Sequence, residues 1–145
     1  MTMRLRFVLA AAFLMAACSS PEKRQQAELM DQIEQKVLLP REAGKIERFA
    51  RAYKFGSADR VEAFYFVPDG QHDPWFCEGA KKGGRTNGQV ALACPSPDGL
   101  EAGERRWFGN DVHLPAANDG GCDFIEVVYD IRSRTVASAK CNGHG

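Results

Sequence analysis

Cysteine and histidine carry most of the chemistry available to this chain, which has five of the first and three of the second. Cys77, Cys94, Cys122 and Cys141 form an even set, and none of them belongs to a C-x-x-C pair. That spacing argues against a thioredoxin-like redox site and against a zinc ribbon, and favours two structural disulfides. Four cysteines allow three pairings. Cys77 and Cys94 flank a glycine-rich stretch almost symmetrically, and Cys122 and Cys141 flank Ile131-Arg132 in the same way. Each pair is therefore expected to bridge one antiparallel hairpin. A zinc site drawn from Cys141 and His144 with Cys122, or from His72 with Cys77, lacks the tight ligand pairs usual for structural zinc. No metal or cofactor is expected. A nucleophile needs a base within hydrogen-bond reach and a third group to orient it. His72, His113 and His144 have acids nearby in Asp73, Asp111 and Asp119, yet no serine or cysteine sits in a recognisable elbow.

Three other clusters invite a binding reading. Gly79-Ala80-Lys81-Lys82-Gly83-Gly84-Arg85-Thr86 matches a phosphate-binding loop except that arginine replaces the lysine. Asn87-Gly88 and a strand-like run follow it, where a phosphate loop requires a helix, so a long basic hairpin loop is the better account. Lys81, Lys82 and Arg85 remain candidate partner contacts. Trp107-Phe108, flanked by Arg105, Arg106 and Gly109, is the aromatic pair expected to be exposed, because aromatics anchor binding surfaces. Arg41, Lys45, Arg48 and Arg51 would line one face of a helix over 41–54, and Glu42 and Glu47 dilute that stripe into an ordinary solvated face.

The first residues read as an export signal. Arg4 and Arg6 precede an apolar run from Phe7 to Ala17, about half of the roughly 20 residues that span a bilayer as a helix. Leu14-Met15-Ala16-Ala17 then leads into Cys18-Ser19-Ser20. This resembles the signal of bacterial lipoproteins, in which an aliphatic residue and two small ones precede a cysteine that is diacylated and becomes the new N-terminus. Met15 stands where that family usually has leucine. The resemblance implies a lipid on Cys18, and Ser19 after it implies the outer membrane. Acyl chains in that number anchor more firmly than one alone.

Residues 1–17 are accordingly read as a signal peptide, 18–40 as a lipid-anchored segment with an amphipathic helix, and 41–145 as one domain. The chain has 19 basic and 19 acidic residues. Losing Arg4 and Arg6 leaves it slightly acidic, which argues against binding nucleic acid. Ser20-Pro21-Glu22 is a helix start, with Leu29, Met30, Ile33, Val37 and Leu38 at helical spacing until Pro40. Ala43, Ile46, Phe49, Ala50 and Tyr53 predict a second helix over 41–54. From Val61 the period becomes alternating, and strands are expected at 61–67, 75–77 and 89–94, briefly at 105–108 and 112–114, and at 122–130 with 135–141 as a hairpin. The expected fold class is α+β: two N-terminal helices followed by a small antiparallel sheet with two hairpin-bridging disulfides. The ending Asp119-Gly120-Gly121-Cys122, Tyr129-Asp130 and Cys141-Asn142-Gly143 is similar to that of other small exported bacterial proteins, over about the last quarter of the chain. That likeness implies a shared fold and supplies no activity.

These observations favour an envelope lipoprotein that binds a partner without catalysing a reaction, with no claim on its oligomeric state. A small periplasmic hydrolase using His72 or His113 with an adjacent acid is one rival. An inhibitor or immunity-like protein is the other.

Overall fold

The computed structural model describes residues 20–68, 99–112, 114 and 120–143. Its first element is helix α1, Pro21–Lys36. Ser20 caps it by accepting from the Lys23 amide at 3.3 Å, and Pro21 occupies the first turn, where its missing N–H costs nothing. Leu29 and Ile33, four residues apart, are its buried positions, and Met30 packs beside them. The helix ends before the expected point, with Val37 extended and Leu38 exposed, so Leu38 leaves the apolar stripe that sequence assigned to it.

The second expected helix is absent. Its span forms two short 3-10 turns, Arg41–Ala43 and Ile46–Arg48, and then strand β1, Ala50–Ser57. Gly44 separates the turns at φ 77°, a conformation that helix propagation cannot use. Strand β2, Arg60–Phe66, returns antiparallel to β1. Strand β3 is Arg105–Trp107, and β4, Gly121–Asp130, and β5, Thr135–Asn142, make the closing hairpin. The order across the sheet is β3-β1-β2-β4-β5. β3 runs parallel to β1, so the sheet is mixed rather than antiparallel. Among the described residues the fold expectation is therefore corrected to one α-helix on a five-stranded mixed sheet. The proposed strand at 112–114 does not form at Val112 or Leu114. Those at 75–77 and 89–94 lie outside the described residues.

Alternation sorts side chains onto two faces. Phe49, Tyr53, Val61, Ala63, Tyr65, Ile125, Val127 and Tyr129 form the core beneath α1, with Leu29 and Ile33. Ala50, Ala52, Phe64, Phe66 and Leu100 form a smaller cluster on the other face, where Phe108, Leu114 and Phe124 pack against them. Cys122 and Cys141 are joined, their Cα atoms 4.5 Å apart, as the hairpin predicts. Among the described residues this is the one disulfide, and Cys77 and Cys94 lie outside them. At the β4–β5 turn Asp130 accepts from the amide and the hydroxyl of Ser133, which, with the amide foremost, holds its carboxyl below the usual range.

The Cys122–Cys141 bridge closes a loop across a sequence separation of 19. Chain entropy alone gives such a loop about 3 kcal/mol of stabilisation. The Cys122→Ala/Cys141→Ala variant is expected to lose that amount in urea unfolding, with an unchanged far-ultraviolet spectrum below the transition. A loss under about 0.5 kcal/mol would show that the bridge does not constrain the unfolded chain.

Candidate functional site

Titratable side chains meet between α1 and the sheet. Arg51 belongs to the helix-facing side of β1 and is only 7% exposed. Its Nε donates to Glu34 Oε1 at 2.9 Å, Nη1 to the carbonyls of Ile46 (3.1 Å) and Phe49 (3.3 Å), and Nη2 to that of Gly103 at 2.9 Å. Arg105, beside it on β3, contacts Asp31 at 2.7 Å and Glu34 Oε2 at 3.2 Å. The Tyr53 hydroxyl donates to Glu34 Oε1 at 2.8 Å and lies 2.9 Å from the Tyr65 hydroxyl. Tyr129 reaches Gln32 Oε1 at 2.9 Å.

Burial, and then the neighbouring Tyr65 and Glu34, push the Tyr53 phenol far above its ordinary value. Burial raises Tyr65 as well, against a lowering contribution from its bond to Tyr53. For Arg105 burial opposes the charge, but the bond to Asp31 and the field of Glu34 outweigh it and raise its pKa. Among the described residues no buried side-chain nitrogen or oxygen lacks a partner. The network is thus a structural clasp, in which burial keeps the Tyr53 and Tyr65 phenols protonated.

The accessible chemistry lies beside the start of α1. One groove of about 280 Å³ is lined by Glu22, Gln26, Phe55, Trp107, Phe108 and Asn110. A second, of about 480 Å³, shares Phe55 and Asn110 and adds Gln25, Lys54, Ser57 and Ile131. Together they mark the end of the sheet where β1 turns into β2 and β3 exits. Trp107 is fixed there by stacking on Tyr53, at 6.4 Å between centroids and 7° between planes, and by the edge of Phe55 at 4.8 Å. The Lys54 ammonium donates to the Val112 carbonyl at 3.1 Å, steadying the segment after β3. A further groove of about 300 Å³, lined by Glu62, Phe64, Leu114, Glu126 and Val128, lies on the opposite face. The Asn142 side chain engages Glu126 there.

Of the residues singled out by sequence, Trp107 and Phe108 come together in the first groove, although they belong to opposite sides of the sheet. Cys18, Cys77, Cys94, Lys81, Lys82 and Arg85 lie outside the described residues, as do His72, His113 and His144. The basic stripe does not exist as such: Arg51 is buried and Arg48 pairs with Asp123 at 2.7 Å. Sequence reasoning missed Phe55, Lys54, Gln25, Gln26 and Asn110. The alternation of Phe49, Arg51, Tyr53 and Phe55 carried the signal for Phe55. Among the described residues no three His, Cys, Asp or Glu side chains are grouped to hold a metal. No described helix is long and apolar enough to cross a membrane.

Compared with known proteins, the chain matches no family model, no curated protein and no solved structure.

Two predictions follow from the clasp. Glu34→Ala leaves the Arg51 guanidinium buried without its carboxylate, which costs about 3–5 kcal/mol; chemical denaturation measures it, and a loss under about 1 kcal/mol would mean that the carbonyls suffice. The second concerns alkali. Burial holds the folded pKa values of Tyr53 and Tyr65 above the ordinary phenol value of about 10. Their contribution is complete below about pH 10 and declines above it, as the unfolded chain releases phenolic protons that the folded chain retains. Unfolding free energy should fall from pH 9 to 11, and Tyr53→Phe/Tyr65→Phe should flatten that slope.

Proposed function

We propose that this chain is a lipid-anchored protein of the bacterial envelope, held on the periplasmic face of the outer membrane, whose domain binds a partner without catalysing a reaction. The observation that carries the binding role is the pair of adjoining grooves at the start of α1, where Trp107, Phe108 and Phe55 meet Gln25, Gln26 and Asn110. Aromatic faces flanked by carboxamides supply contact area and paired donors and acceptors, the composition of recognition surfaces. Engagement of Glu34, Arg51, Arg105 and both buried tyrosines in the clasp supports a non-catalytic reading. The anchoring part rests on the resemblance of the segment ending in Ala16-Ala17-Cys18 to lipoprotein signals.

Both halves are open to test. Cells labelled with a fatty-acid probe should show label on the wild type and none on Cys18→Ser, which should also leave the membrane fraction; an unlabelled wild type sinks the anchor. Cross-linking in intact cells followed by mass spectrometry should capture a recurrent adduct that is lost in Asn110→Trp, a variant that fills both grooves. An adduct pattern indifferent to that change would place recognition elsewhere.

A further inference from the structure

We draw no further inference here: the strongest candidate, the outer edge of β5 (Thr135–Asn142), which among the described strands pairs with β4 alone and offers backbone groups to an added strand, carries nothing because nothing in the structure shows what covers it.

Discussion

The guanidinium of Arg51 sits where three stretches of chain meet, and the arrangement of the domain depends on satisfying it. It ties α1 through Glu34, the 3-10 turn through the carbonyls of Ile46 and Phe49, and the loop before β3 through that of Gly103. A buried cation is costly unless each of its donors is met, so these three segments cannot separate without exposing the charge or stranding it. The neighbouring backbone follows the same seam. Gly103 donates to the Phe49 carbonyl and Arg51 to that of Glu104, each at 3.0 Å, which seats β3 alongside β1. The parallel pairing at the sheet edge is thus fixed by polar contacts at the start of β1 more than by the three residues of β3 itself.

That same arginine explains where the sequence misleads. The run from Phe49 to Phe55 alternates strictly, with 49, 51, 53 and 55 facing α1, but a cation occupies one of the inward positions. Apolar periodicity therefore favours the competing helical spacing of Ala43, Ile46, Phe49 and Tyr53, which fits a helix as long as Gly44 is overlooked. β2 and the closing hairpin were legible because their inward positions carry no charge and, apart from alanines such as Ala63, are β-branched or aromatic, as at Val61, Tyr65, Ile125 and Tyr129. The placement of β3 was not legible, since a parallel edge pairing leaves no local trace in a strand of three residues. Trp107 and Phe108 were visible as an aromatic pair. Their partners Phe55, Gln25 and Asn110 belong to three other elements, and only the folded chain assembles them.

The two faces of the sheet are built on different terms. Beneath α1 three of the aromatic rings carry hydroxyls, and Tyr53, Tyr65 and Tyr129 each find a polar partner within the interface. On the other face the rings are phenylalanines, with Phe64 between Phe66 and Phe124 at 6.3 and 5.9 Å. Phenols need fixed partners when buried and therefore specify where α1 must lie, whereas phenylalanine packing tolerates small shifts. The helix position, and with it the geometry of the groove beside its first turn, is determined by the polar face.

The ties between α1 and the closing hairpin bear on how the chain is made. Gln32 receives the Tyr129 hydroxyl and the Lys36 ammonium reaches the Arg134 carbonyl, contacts 97 and 98 residues apart in sequence. β4 supplies Ile125, Val127 and Tyr129 to the core, and among the described residues no earlier element replaces them. A polypeptide emerging N-terminus first, from a ribosome or a translocation channel, therefore has no complete core until almost its last residues have appeared. Such long-range closure slows folding relative to locally connected domains. On the export proposed above, late closure would keep the chain pliable until threading ends.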